Sequence, residues 1–346
     1  KRACGTLLTC GASRGQGSSS TGGSAVDCFD PATREETPRE GTSHKDAMTA
    51  SAWMDKIKVN SVVKVFCRKR PPNFVMPWTN KREFSTSATA FVLSLERRLL
   101  LTNRHCVHYA GCVEVRKCGD ADKFEAEVLA MGTDTDLALI TVRDESFWAG
   151  GLEEQELLHD IPAPFTEVVC AGYPTGGDNI SVSKGVVSRV DCELHLDPWR
   201  NRLRIQIDAA INSGNSGGPA LVSDGRCVGI AYKTLTKSQN IGYIIPAEVV
   251  GKFLCTWGRM EHKGVSPLWV TSFGHGRFKA QKLENSGMRR ALGMGDGQSG
   301  VLLQRVDPTS PNSRSLMPGD VLLALGGVGI GNDGCVPFDR GITKYD

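Results

Sequence analysis

No Cys-x-x-Cys pair occurs among the twelve cysteines of this 346-residue chain, so the spacing of a structural zinc knuckle is missing. No apolar run approaches the roughly 18 residues that a membrane-spanning helix needs. Long basic stretches are missing too. The 41 Lys and Arg against 38 Asp and Glu leave a net charge of only +3. With neither an RRM-type nor a zinc-finger signature present, nucleic acid is not expected as a partner. No internal repeat is apparent. What remains is an ordinary globular composition, 40% hydrophobic and 23% charged, long enough for two or three domains.

Acid is absent from residues 1–26, which hold Lys1, Arg2 and Arg14 amid Ser, Thr and Gly. That composition fits an organellar transit peptide. It equally fits a tail that buries too little apolar surface to offset the entropy of ordering. Residues 27–50 stay polar, and 1–52 is read as tail; an organelle is the expected location, with nucleus or cytosol as alternatives. Several cysteines sit in strand-like apolar runs, such as Val169-Cys170-Ala171 and Arg226-Cys227-Val228. They are expected as buried thiols in a reducing compartment. Cys112 and Cys118 remain a possible pair in an oxidising one.

From about residue 55 short β-rich runs alternate with turn residues. They include Val62–Cys67, Ala88–Leu95, Lys123–Leu129, Leu137–Val142, Thr166–Ala171, Ile180–Ser183 with Val186–Val190, Leu203–Ile207 and Cys227–Tyr232. Many short strands without long helical patterns between them predict a sandwich or barrel. Within Pro246–Trp257, Val249, Val250, Phe253 and Leu254 fall on one face of a helix, which is expected to close the β domain near residue 260. A second unit follows, with strands over Ser299–Val306 and Pro318–Leu325.

The chemistry centres on Gly214-Asn215-Ser216-Gly217-Gly218-Pro219. Alone, such a segment fits a hairpin turn. Glycines also let the backbone take positive φ and bring main-chain N–H groups close to a substrate, where Gly214 and Ser216 would form an oxyanion hole. A serine nucleophile needs a base. Among seven histidines, His105 ends the apolar run Leu99-Leu-Leu-Thr-Asn-Arg-His105, where packing can fix an imidazole. His108 lies three residues on, yet no third ligand stands nearby, so no metal is expected. The orienting acid is Asp136, at the edge of Asp136-Leu-Ala-Leu-Ile140, ahead of Asp134. In an extended strand both would face the same side. The order His, Asp, Ser matches the chymotrypsin-like triad.

With these residues in place the chain resembles the Deg/HtrA serine proteases. The matching pieces are Leu101-Thr-Asn-Arg-His-Cys-Val107, Thr135-Asp-Leu-Ala-Leu-Ile140, Gly172-Tyr-Pro-Thr-Gly-Gly177, Ser183-Lys-Gly-Val-Val-Ser188, Asp208–Pro219 and Asn240-Ile-Gly-Tyr-Ile-Ile-Pro246, in family order. Gly331-Asn-Asp-Gly-Cys-Val-Pro-Phe338 is similar to the first PDZ domain of plant and algal Deg proteases. The resemblance implies a mainly β, trypsin-like double six-stranded barrel over 53–260 and a PDZ domain over 261–346, expected to be C-terminally incomplete. It implies an ATP-independent endopeptidase without a cofactor, acting on unfolded or damaged proteins, and assembly into trimers or their multiples. Trp269-Val-Thr-Ser-Phe-Gly274 is the candidate carboxylate-binding loop of the PDZ unit.

In trypsin an acid lies six positions before the nucleophile. Here that place is Ala210, beside Ile211, which predicts small or medium apolar residues before the cut bond. Two other readings compete. A Gly-x-Ser-x-Gly elbow would mean an esterase, but that fold wants acid and His after the Ser and a helix following it, where Pro219-Ala-Leu-Val222 reads as a strand. The other reading is a non-catalytic chaperone or binding scaffold, which would be free to lose any triad residue.

Overall fold

The computed structural model describes residues 56–194, 201–234, 241–265, 268–272, 278–337 and 344–345. The expected tail, residues 1–52, lies outside them. The described residues fall into two compact units: those up to Val190 and in Leu203–Ser272 form one, and those in Asp191–Arg202 and Phe273–Asp346 the other.

The first unit opens with β1 (Val62–Lys69), β2 (Phe84–Ser94), β3 (Leu99–Asn103), β4 (Ala110–Arg116), β5 (Phe124–Gly132) and β6 (Leu137–Val142). They join in the order β5-β4-β1-β2-β3-β6, and a β5–β6 ladder closes the ring into a six-stranded barrel. A second closed barrel follows from β7 (Glu167–Gly172), β8 (Ser181–Leu194), β9 (Asn201–Ile207), β10 (Pro219–Leu221), β11 (Cys227–Thr234) and β12 (Gly242–Pro246), in the order β10-β11-β12-β9-β8-β7. This is the mainly β, double-barrel trypsin-like fold. Strand β4 has no place among the predicted strands, because its buried Val113 and Val115 alternate with the half-exposed Cys112, Glu114 and Arg116. Only two apolar side chains mark its inner face.

The leucine run on β3 shows why an unbroken apolar strand occurs here. Leu100 points into the core of the first barrel with Val65, Ala90 and Ile140. Leu99 and Leu101 point the other way, into a second core shared with Leu221, Ile230, Ile245 and Phe253. Burial on both faces removes the usual alternation. Strand β3 ends in a single helical turn, α1 (Arg104–Val107), and another turn, α2 (Glu145–Trp148), follows β6.

Helix α3 (Ala247–His262) begins right after Pro246, as predicted. It buries Val249, Val250, Phe253 and Trp257 against the second core. Full burial of such side chains is worth about 1.5–3 kcal/mol each. The unit continues past residue 260, because β13 (Trp269–Val270) pairs in parallel with β5. Trp269-Val270, the start of the candidate carboxylate-binding loop, therefore belong to the first barrel's sheet, and Phe273-Gly274 lie outside the described residues. Two residues carry no periodicity that separates a sheet edge from a loop.

In the other unit, β14 (Phe278–Lys282), β15 (Val301–Val306) and β16 (Val321–Leu322) form an antiparallel sheet in that order. Helix α4 (Ser286–Ala291) is capped by Asn285, whose side chain accepts from Met288 N. The strands expected over 299–306 and 318–325 are thus present in shortened form.

Among the described residues Cys67, Cys106, Cys170 and Cys227 are buried thiols. Cys112 and Cys118 are both free rather than paired. Burial raises the thiols of Cys170 and Cys227 to about 12, so both stay protonated and inert. Among the described residues no helix is long and apolar enough to cross a membrane.

Candidate active site

Asp136 sits where the β5–β6 turn enters β6, with its backbone in the left-handed region at φ 56°. Its N–H donates to Gly132 O at 3.1 Å, which closes the turn. The left-handed residue breaks the strand alternation on which a shared facing of Asp134 and Asp136 depends. The two acids have different partners. Asp134 Oδ2 accepts from Ser272 N at 2.8 Å, whereas Asp136 Oδ2 lies 2.6 Å from His105 Nδ1.

Asp136 is gripped at four points. Its Oδ1 accepts from His105 N at 3.0 Å. Its carbonyl accepts from Arg104 N at 2.8 Å and from Asn103 Nδ2 at 3.2 Å. The Asn-Arg-His sequence therefore wraps one acid with three consecutive residues, and this explains why the imidazole follows directly on the end of β3. Lys69 Nζ donates to the His105 carbonyl at 2.6 Å from the other side.

Ser216 lies on the loop before β10. Gly214 and Gly217 hold φ of 101° and 90°. A Cβ on Gly217 would run into the Thr89 carbonyl and the Thr102 hydroxyl, and one on Gly214 into the Tyr173 carbonyl. Only glycine fits at either place. Within the loop Asn215 N donates to Asn212 O at 3.0 Å, and Gly217 N to Ala231 O at 2.8 Å. Among the described residues neither Gly214 N nor Ser216 N has an acceptor. Two amides expected to face an oxyanion are thus left open.

The serine hydroxyl donates to Tyr232 O at 3.2 Å rather than to His105. The Tyr232 ring meets the His105 ring edge-on at 5.9 Å. Beside His105 Nε2 sits a thiol: Cys106 Sγ is 3.6 Å from that nitrogen and 3.7 Å from Ser216 O. The structure therefore brings His105 and Asp136 into contact and sets Ser216 next to them.

Burial pulls the His105 pKa down, but the neighbouring Cys106 sulfur and the Asp136 carboxylate outweigh it, and the imidazolium persists up to about 10. A general base acts only when neutral, so activity relying on His105 rises with pH on the alkaline side. Replacing Cys106 with serine removes one source of that upward pull. The rising limb of kcat/KM against pH is expected to move to lower pH in Cys106→Ser. An unmoved limb, measured with a short chromogenic peptide, would show that the thiol does not govern this proton. His108 behaves oppositely: burial and the charges of Arg104 and Lys69 push it down to about 4. Its Nε2 faces Arg104 Nη2 at 3.3 Å.

Of the two residues expected to shape the substrate pocket, Ile211 is buried against Gly242 and Ala210 is exposed. The Ala210 carbonyl is held by Ser183 Oγ at 2.8 Å.

One residue escapes a reading of the sequence. Thr89, fully buried on β2, accepts from Tyr173 N and donates to Gly214 O, both at 2.8 Å through Oγ1. Its N–H donates to Ser216 O at 3.0 Å. The first barrel thereby holds the serine loop of the second. A hydroxyl within the apolar stretch Ala88-Thr-Ala-Phe-Val92 is the available signal, since a buried polar group demands partners.

Known proteins resemble this chain over most of its length. The trypsin-like peptidase domain profile matches residues 88–230. Protease Do-like 2, chloroplastic, of Arabidopsis thaliana is 39% identical over 318 residues, 91% of this chain and 50% of that protein. Putative protease Do-like 3, mitochondrial, of the same plant is 40% identical over 306 residues, 88% and 52% of the two. The serine protease DegP homolog of Plasmodium falciparum is 36% identical over 235 residues, covering 67% of this chain and 25% of that one. The chain spans about half the length of the first two. Among solved structures, the HtrA-type protease AlgW with a tripeptide has a TM-score of 0.63 at 23% identity, over 86% of this chain and 94% of its own. That likeness concerns the fold.

Proposed function

This chain belongs to the Deg/HtrA family of trypsin-like peptidases, and from that premise we propose that it is a serine endopeptidase cleaving unfolded or damaged proteins. The observation that carries the reading is the 2.6 Å contact between His105 Nδ1 and Asp136, set beside a serine loop with open amides. In the proposed cycle, the Ser216 hydroxyl leaves the Tyr232 carbonyl and turns to His105 Nε2. His105 takes its proton as Oγ attacks the peptide carbonyl, and Asp136 holds the tautomer and stabilises the imidazolium. Gly214 N and Ser216 N receive the oxyanion. His105 then gives the proton to the leaving amine, and water releases the acyl group by the same steps in reverse.

Ala210 and Ile211 would line the pocket for the residue before the cut bond, and neither offers a charge to Lys or Arg. A protease domain is read from residue 53 and a PDZ module up to residue 346, with the boundary moved from 260 to 272 because β13 pairs with β5. The β14–β16 sheet and α4 support that reading. Organelle residence is supported by the chloroplastic and mitochondrial relatives, and assembly into trimers or their multiples by the family alone.

The test is a casein digest with and without a fluorophosphonate. The reagent is expected to attach to Ser216, found by peptide mass mapping, and to stop cleavage. Fragment ends should be dominated by small or medium apolar residues before the cut. Cleavage that survives full modification of Ser216 would overturn the mechanism, and ends dominated by Lys or Arg would overturn the pocket assignment.

A further inference from the structure

Residues 268–272 end the first unit and form a brace that touches both pieces carrying the His105–Asp136 couple. On one side the brace holds the turn that presents Asp136. Trp269 and Val270 pair with Met131 and Gly132. Met131 N donates to Leu268 O at 2.7 Å, and Thr133 N to Val270 O at 3.1 Å. The Thr133 and Thr271 hydroxyls lie 3.4 Å apart, and Asp134 Oδ2 accepts from Ser272 N at 2.8 Å. Every residue from Met131 to Asp134 is thus tied to this segment, just before the left-handed Asp136. Val270 is fully buried and anchors the brace in the core.

On the other side the half-exposed Trp269 covers α1. The Arg104 guanidinium lies over its ring at 5.4 Å, and the His108 ring meets it edge-on at 5.4 Å. Arg104 directly precedes His105 and donates its N–H to Asp136 O, so the indole sits one residue from the base.

We propose that the 268–272 segment is a positioning element for the proposed catalytic pair, with Trp269 as its principal positioning residue. The inference rests on the triad reading. It clamps α1 and the 132–136 turn in the register at which His105 Nδ1 meets Asp136. The barrel strands are longer and closed into a ring, so neither needs this segment in order to form. A two-residue parallel ladder is a low-stability element that opens locally more readily than the barrel.

The experiment compares the full chain with Trp269→Ala, Trp269→Phe and Thr271→Val. Three readouts are taken: kcat and KM on a short peptide, the rate of fluorophosphonate attachment to Ser216, and the low-field proton resonance of His105 Nδ1–H. Trp269→Ala is expected to lower kcat and the attachment rate about ten- to a hundredfold, the scale of a small misplacement of catalytic groups. KM should stay nearly constant and the low-field resonance should weaken. Trp269→Phe restores an aromatic face for Arg104 and is expected to recover most of the loss. Thr271→Val, which keeps the side-chain volume, should show a smaller change in the same direction, and it carries the test if Trp269→Ala does not fold. An unchanged kcat and an unchanged resonance in Trp269→Ala would overturn the proposal. If the unmodified chain neither cleaves nor labels, the triad reading fails. The resonance then still decides the positioning claim: a weakened signal supports it, and an identical one refutes it.

Discussion

Ser216→Ala is expected to lower casein degradation by about 10⁶, leaving only the residual acceleration that substrate binding and the oxyanion hole give over the unassisted reaction. The size follows from the chemistry, because without Oγ no acyl-enzyme forms and His105 has no proton to take. The fold should survive. In the structure the hydroxyl makes a single 3.2 Å hydrogen bond to Tyr232 O, while the loop is shaped by the glycine backbones and by Thr89. The melting temperature of the variant should therefore stay close to that of the parent. This separation also discriminates the scaffold reading: a chaperone that happens to keep a protease barrel would degrade nothing in either form. It would suppress casein aggregation equally in both. Equal, measurable cleavage by parent and variant would remove Ser216 from the mechanism altogether.

Much of the site is legible in the sequence, for reasons that differ residue by residue. Ser216 is legible because only glycine tolerates the backbone on both sides of it, and such a run is rare in sequence. His105 is legible because it lies two residues beyond a strand whose leucine run is buried, which fixes the strand's end. Strand β6 matches its expected bounds, since Leu137–Val142 is apolar throughout but for Thr141 and buried almost throughout. Less legible are the features made by distant segments. The link from Thr89 to Gly214 spans 125 positions, and nothing local in Ala88-Thr-Ala predicts which turn it serves. The tie of Ser272 to Asp134 spans 138, and its short strand leaves no periodic trace. For Asp136, reasoning from an extended strand puts both acids on one side, whereas a left-handed turn is what separates it from Asp134 and sets it against His105.

That separation is tested by replacing each acid with its amide. Asp136→Asn is expected to cut kcat about 10⁴-fold, as when the orienting acid of a serine protease is lost. Geometry should be preserved: the Asp136 carbonyl keeps its bonds from Asn103 and Arg104, and Oδ1 can still accept from His105 N. What changes is the group facing Nδ1. An amide NH₂ donates where the carboxylate accepted, so the imidazole turns to the tautomer carrying its proton on Nε2, where the base must be empty. The charge effect runs the other way. Losing the carboxylate lowers the His105 pKa, since both its charge and its hydrogen bond held it up. The residual activity should therefore start its rise at lower pH even as its ceiling falls. Asp134→Asn removes no contact to His105, and an amide oxygen can still accept from Ser272 N, so its kcat should remain within about tenfold of the parent, the lower end of a small misplacement. Full kcat–pH profiles of the two variants decide the matter. A larger loss in Asp134→Asn than in Asp136→Asn would reverse the assignment, because the carboxylate that sets the tautomer must be the one whose removal leaves the base protonated on the wrong nitrogen.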